Sequence, residues 1–275
     1  MMEKERGLAD RIAAYRAGKE DLVFWWLGQM GFAVRMGGRT IFADPYLSAD
    51  EARLYPPAMR ADEITNADII LGSHDHLDHI DYETWQGIAK ASPEAVFVLP
   101  SLLKERISRK LQIPAERMIG LDDGKSVTLK GLTITGVASA HEALDPDPVT
   151  GEHPYLGYVV RSGKRCFYHA GDTCLYEGML AKLRAQGPYD AIFVPINGRD
   201  AARYTSGCIG NMTFQEAVDL SGALKPALAV PGHYDMFSNN LGSPIAFKAY
   251  LEAKYKGIGC WVGERGTAVE VPKKV

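Results

Sequence analysis

The six residues His74-Asp75-His76-Leu77-Asp78-His79 restrict what this chain can be more than any other stretch. They follow Ala67-Asp68-Ile69-Ile70-Leu71-Gly72, a short β-branched run bounded by polar residues that reads as a buried strand. The hexamer then lies on the loop where that strand ends. In extended backbone alternate side chains share a face, so His74, His76 and Asp78 are expected to point the same way. A turn into the next helix brings His79 round towards them. Imidazoles that grip one cation, and a carboxylate with an imidazole that starts a second site, are the chemistry this spacing suggests. The plainer reading is a solvated polar loop, and three His within six residues directly after a buried strand weigh against it.

Composition narrows the classes further. A chain of 275 residues, 46% hydrophobic and 24% charged, is ordinary globular material with ample length for a core. Its net charge of -3 and the lack of a Lys/Arg run give no support to a nucleic-acid or membrane-surface partner. Met1-Met2-Glu3-Lys4-Glu5-Arg6 carries both signs of charge and leads into no apolar segment, so no secretory signal is expected. No stretch approaches the ~18 apolar residues of a membrane span. The Cys residues at 166, 174, 208 and 260 show no C-x-x-C spacing and read as reduced thiols in a cytoplasmic protein. Cys174, two residues after Asp172, reads as packing.

The remaining pattern alternates meanders and helices. Leu8, Ile12 and Tyr15 recur at helical spacing over 3–17. The run 22–27 is too apolar to face water on either side, and 32–36 with 40–43 forms a hairpin across Gly37-Gly38. Asp44-Pro45 ends that meander, which excludes a doubly wound parallel fold. Residues 49–66, with Pro56-Pro57 in the middle, are expected to form a loop that folds over a site. Asp81 should cap a helix to about Lys90 and Ser101 another to about Leu111, with a strand at 95–99 between them. Short strands are expected at 118–121, 126–129 and 132–137, then a hairpin of 155–161 with 165–169. Helices at 175–185, 213–223 and 244–254 alternate with strands at 190–195 and 226–231, before closing strands near 259–262 and 267–271. The expected architecture is α/β (α+β): two mixed sheets packed together with helices outside, in one domain spanning 1–275.

A binuclear site needs more donors than the hexamer holds, and three further strand ends supply them. His141 follows 132–137, Asp172 follows 165–169 and His233 follows 226–230, each beside small residues or Gly that permit close approach. His153, in a Pro/Gly-rich loop, reads as surface or lid. His169 reads as a supporting or core residue, not a direct ligand.

These motifs together resemble the metallo-β-lactamase superfamily in its hydrolase branches, over nearly the whole chain. Within it the sequence is most similar to the L-ascorbate-6-phosphate lactonase group. The carriers are Trp25-Trp26-Leu27-Gly28, the hexamer with Ile80-Asp81, Tyr168-His169-Ala170-Gly171-Asp172, Asn211-Met212-Thr213, and Pro231-Gly232-His233-Tyr234-Asp235-Met236-Phe237-Ser238-Asn239. This chain is shorter than those lactonases, and its loop 141–154 is of a different, compact character. The resemblance implies an αβ/βα sandwich. It also implies His74, His76 and His141 on one metal, Asp78, His79 and His233 on the other, and Asp172 bridging.

Two divalent cations sharing a water lower its pKa towards neutrality, so hydroxide attacks a carbonyl or phosphoryl centre without a Ser or Cys nucleophile. Asp78 both holds a metal and orients that hydroxide, which makes it the expected catalytic residue. The mixed donors suit Zn²⁺ or Mn²⁺ and admit Fe²⁺. A lactonase acting on a small sugar-acid lactone, phosphorylated or not, comes first. A phosphodiesterase of the same superfamily is second, followed by a nuclease, a di-iron redox enzyme and a non-catalytic binding module. Arg199 and Arg203, within Asn197-Gly198-Arg199-Asp200-Ala201-Ala202-Arg203-Tyr204-Thr205-Ser206, form a candidate phosphate clamp. The competing reading pairs both with Asp200 or solvent. Tyr234, next to His233, is a third expected substrate contact. The partner is then a small-molecule substrate, with no nucleic acid and no membrane, and a homo-oligomer is left open.

Overall fold

The computed structural model describes residues 7–274, so 3–6 of the expected first helix lie outside the described residues. That helix, α1, runs Leu8–Ala14 and buries Leu8, Ala9 and Ile12. Leu22–Gly28 (β1) is buried at every position because its two faces serve different cores. Phe24 and Trp26 turn into the space between two sheets, while Val23, Trp25 and Leu27 turn outwards beneath helices. The hairpin follows as expected: β2 (Gly31–Met36) pairs with β3 (Arg39–Ala43), Met36 opposite Arg39. Gly37 and Gly38 between them take φ of +60° and +75°, which the two-residue turn demands.

From β3 onwards the pairing becomes parallel. Residues 44–68 form the crossover to β4 (Ile69–Leu71) with only a 3₁₀ turn, Ala61–Glu63. Then α2 (Tyr82–Ala91) leads to β5 (Val96–Pro100), and α3 (Ser101–Leu111) to β6 (Met118–Leu121). Asp81 caps α2 as expected, its side chain accepting from the Thr84 N–H. Ser101 does not cap α3: it is already the first helical residue, and the capping position falls on Pro100.

The second half repeats this plan. An antiparallel meander of β7 (Ser126–Leu129), β8 (Leu132–Ala138), β9 (Leu156–Ser162) and β10 (Arg165–His169) comes first. Next is α4, which spans Met179–Gln186, later than expected because Gly178 at φ +89° starts it. Strands β11 (Ala191–Pro195), β12 (Leu228–Gly232) and β13 (Gly259–Cys260) then add in parallel. The helices α5 (Ala201–Thr205), α6 (Phe214–Leu224) and α7 (Pro244–Lys254) lie on their connections, and α5 was not anticipated. Finally β14 (Val269–Glu270) returns to pair with β1. The described residues thus form two seven-stranded mixed sheets with helices outside, as expected.

Strand direction sets the place of the site. In the first sheet β1, β3 and β4 run in one sense, and in the second β8, β10, β11 and β12 do. The loops leaving their carboxyl ends carry Asp44, His74, His141, Asp172 and His233, and ligand sites of open α/β sheets form at such edges.

The sheets meet over an aromatic knot. Phe193 lies 4.3 Å from Phe32 and 5.2 Å from Phe24, ring centre to ring centre, and all three are fully buried. Phe193→Ala is expected to cost about 3–5 kcal/mol. Leu54→Ala, at an exposed side chain of the 49–66 loop, should change stability by less than about 0.5 kcal/mol. Urea unfolding of both variants measures the contrast.

Candidate metal centre

The hexamer is coiled, not extended. The N–H groups of His79 and Ile80 both donate to the His76 carbonyl, at 3.0 and 2.9 Å. That turn overrides strand alternation and separates Asp78 from His74 and His76, with which it was expected to share a face. Three groups of donors result, the atoms within each lying within 4.8 Å of one another: His74, His76 and His141; His74, His79 and Asp172; and Asp78, His79 and His233.

Asp172 joins them. Its Oδ1 is 3.3 Å from His79 Nε2, and its Oδ2 is 3.1 Å from His233 Nε2 and 3.6 Å from His141 Nε2. Asp78 Oδ2 stands 3.3 Å from His233 Nε2 and 3.6 Å from His79 Nε2. Three of the imidazoles are aimed by their other nitrogen. His79 Nδ1 donates to Asp44 Oδ2 at 2.7 Å, and His141 Nδ1 to the Gly210 carbonyl at 3.1 Å. His74 Nδ1 meets Ser73 Oγ at 2.9 Å. Such outer contacts set the tautomer and leave the inner nitrogen for a metal. His79 Nε2 and Asp172 Oδ1 are buried without a hydrogen-bond partner, the signature of donor atoms that await a cation. The residues present therefore suit one.

The electrostatics divide the cluster. Burial pushes the pKa values of His74, His76 and His141 down, and in His74 and His76 the His79 charge adds to it. These three imidazoles are neutral. Burial would lower His79 and His233 too, but the charge of Asp172, then of Asp78, outweighs it; His79 is raised well above its ordinary value and His233 is pushed up to about 9. Burial opposes ionisation of Asp78, yet the His79 charge and the His233 hydrogen bond hold its pKa well below the carboxylate range.

Asp44 is the residue that sequence reasoning missed most plainly. It is fully buried and accepts from Ser73 N–H (2.8 Å), Ser73 Oγ (2.7 Å), His79 Nδ1 and, at 2.9 Å, His169 Nε2. Its signal was present as the Asp-Pro that closes a buried strand. The same bond gives His169 the supporting role expected of it. Gln29 was also missed: fully buried, it donates from Nε2 to Asp78 Oδ2 at 2.8 Å. Tyr155 is a third, its ring 5.3, 6.2 and 5.5 Å from those of His74, His76 and His141. An aromatic one residue before a strand carried no sequence signal.

Other expected residues lie outside the donor groups. His153 is tied to Asp122 through Nδ1 at 2.9 Å and its own N–H at 3.0 Å. Cys174 is buried, and burial raises its thiol pKa, which leaves it protonated and a poor nucleophile. The expected clamp is not set for a phosphate. Arg199 forks onto Glu216 with two contacts of 2.7 Å, and Arg203 pairs with Asp200 and the Leu241 carbonyl. Both guanidiniums are occupied by carboxylates of their own neighbourhood. Tyr234 is buried and stacked on Trp26 at 5.0 Å, held in the wall by packing. The 49–66 loop docks beside the site: Leu54 N–H donates to the Met236 carbonyl at 2.9 Å, and Tyr55 lies under the Arg265 guanidinium.

The chain is similar to known proteins in sequence and in fold. The family model of the beta-lactamase superfamily domain matches residues 39–234. A UPF0173 protein of Pyrococcus abyssi is 30% identical over 229 residues, covering 83% of this chain and 90% of its own. A UPF0173 metal-dependent hydrolase of Caldivirga maquilingensis is 27% identical over 252 residues, 90% of this chain and 98% of its own. Igni18, described as a novel metallo hydrolase of Ignicoccus hospitalis, shares the fold with a TM-score of 0.69 at 22% identity, over 92% of this chain and 100% of that one.

A pH test follows from His233. Its pKa moves from 6.5 to about 9 on folding, so the proton it holds stabilises the metal-free fold. That contribution is complete below pH 6.5 and is lost as pH rises through about 9. Chelator-stripped protein should therefore lose stability across this window, and His233→Gln should lack that part of the slope. Denaturant midpoints between pH 6 and 10 check it.

Proposed function

Because the chain belongs to the metallo-β-lactamase superfamily, we propose that it is a metal-dependent hydrolase with two divalent cations. His74, His76 and His141 would hold one, Asp78, His79 and His233 the other, and Asp172 both. The observation that carries this reading is the reach of Asp172, which lies 3.3 and 3.1 Å from His79 and His233 of the second group while its Oδ2 is also 3.6 Å from His141 of the first. Bound there, such cations supply a Lewis acid and a water deprotonated near neutral pH.

The chain's own residues do the rest. Asp78 is the most open carboxylate of the centre, with 19% of its side chain exposed, and it is held ionised. It orients the attacking water. Asp44 and the Gly210 carbonyl lock His79 and His141, so the donors need no reorganisation during reaction. With Cys174 buried and protonated, attack by solvent without a covalent intermediate is the consistent route.

For substrate, we favour a small carboxylic ester and, within that class, a lactone, supported by the hexamer and Gly-His-Tyr-Asp motifs shared with lactonases. A neutral lactone is favoured over a phosphorylated one, since Arg199 and Arg203 already carry Glu216 and Asp200. The chain is read as one catalytic domain, because a shared core joins residues of both sheets. Four free thiols support a reducing, cytoplasmic setting, and no helix of the described residues is long and apolar enough to cross a membrane.

Metal analysis and a substrate screen test the proposal together. Wild-type protein should hold close to two divalent cations per chain and hydrolyse lactones in a chelator-sensitive way. Asp172→Ala should lose at least one cation and more than ~100-fold in rate with the fold retained. His153→Ala should keep both metals. A trapped acyl-enzyme, or full metal content in Asp172→Ala, would refute it.

A further inference from the structure

The second donor group has a neighbour that its motif does not include. Gln29 follows β1, whose carboxyl end lies at the same sheet edge as those of β3 and β4. Its backbone is left-handed, φ +53°, an uncommon state for a residue with a side chain. Four contacts hold it there. Its N–H donates to Asp235 Oδ1 at 3.0 Å, and its carbonyl accepts from the His233 N–H at 2.8 Å and from Trp26 Nε1 at 3.0 Å. The fourth is the side-chain bond to Asp78. His233, which faces it, is left-handed as well, at φ +56°. A backbone so fully specified, for a residue that glycine would replace without strain, points to a task for the side chain.

The side-chain amide lies 2.8 Å from Asp78 Oδ2 and 3.1 Å from His233 Nε2, atoms themselves 3.3 Å apart. Donors on one tetrahedral cation at bonds of 2.0–2.1 Å are separated by about 3.3 Å, and by about 2.9 Å in an octahedral arrangement. The amide thus forms a triangle of ligand-to-ligand size with two residues already assigned to a cation. In the metal-free protein it donates from Nε2. A half-turn about the terminal side-chain bond puts Oε1, a neutral oxygen donor, in the same place.

We propose that Gln29 is a further ligand of the second cation, through its side-chain oxygen. This inference rests on the binuclear reading above. A neutral amide in that position raises the coordination number without adding charge to a group that already contains Asp78 and Asp172. It also ties that cation to the loop: Asp235, which fixes the Gln29 backbone, pairs with Arg265 at 3.1 Å, and Arg265 covers Tyr55.

The test uses Gln29→Gly, which suits the left-handed backbone and removes only the side chain, and Gln29→Glu, which keeps an oxygen but cannot donate to Asp78. Metal-free proteins are titrated with Zn²⁺ against a chromophoric chelator, and Co²⁺-loaded proteins are compared by visible absorption. A ligand role predicts that Gln29→Gly binds its second cation at least tenfold more weakly, its first within twofold, and shows an altered Co²⁺ band at saturation. Gln29→Glu should bind the second cation at wild-type strength or tighter. An unchanged Co²⁺ band in Gln29→Gly, or weaker second-cation binding by Gln29→Glu, would show that the amide only donates to Asp78 and would overturn the proposal. Wild-type protein with a single tight cation site would instead overturn the binuclear reading, and this inference with it.

Discussion

One buried carboxylate holds the rest of the structure in place. Asp44 ends β3 in the first sheet and receives His169 from β10 in the second, so a single side chain ties the two sheets together at the edge where the donors gather. Burial alone would drive it towards the neutral acid, but the His79 and His169 charges hold its pKa far below the carboxylate range. A buried anion without such partners would cost several kcal/mol, so the positions of Ser73, His79 and His169 are interdependent. The bond from His79 Nδ1 also decides which nitrogen faces Asp172. Sheet packing and ligand orientation are therefore one constraint, satisfied or broken together.

That constraint gathers charge that the metal-free fold has to balance internally. His79 and His233 do so as cations beside Asp78 and Asp172, while His74, His76 and His141 stay neutral. The two halves of the centre thus differ in kind. The three neutral imidazoles present lone pairs at once, whereas the other half would have to give up protons to take a cation. Metal uptake at neutral pH would then release protons mainly from His79 and His233.

The walls are built differently from the floor. Their polar groups are largely satisfied by one another: Arg199 by Glu216, Arg203 by Asp200, His153 by Asp122, and Asp235 by Arg265. Tyr155 stands beside the first three imidazoles. The proposed preference for an uncharged carbonyl substrate rests on these pairings.

Much of the molecule was legible from its sequence, for a physical reason. Apolar runs, Gly turns and caps are local, and local preferences decided the order of strands and helices. The all-apolar β1 told that both its faces would be covered, and four strand ends with His or Asp told where donors would collect. Tertiary structure alone decided which donors meet. The turn at His76–Ile80 moved Asp78 away from His74 and His76, because two backbone hydrogen bonds outweigh strand alternation. Gln29 was silent in the sequence and Asp44 showed only as the Asp-Pro ending a strand, since neither has its role until the sheets bring His233 or His169 beside it. The arginines resolved in the same way: two cations in a polar loop suit a phosphate or a salt bridge equally well, and only the fold placed Glu216 within reach of Arg199.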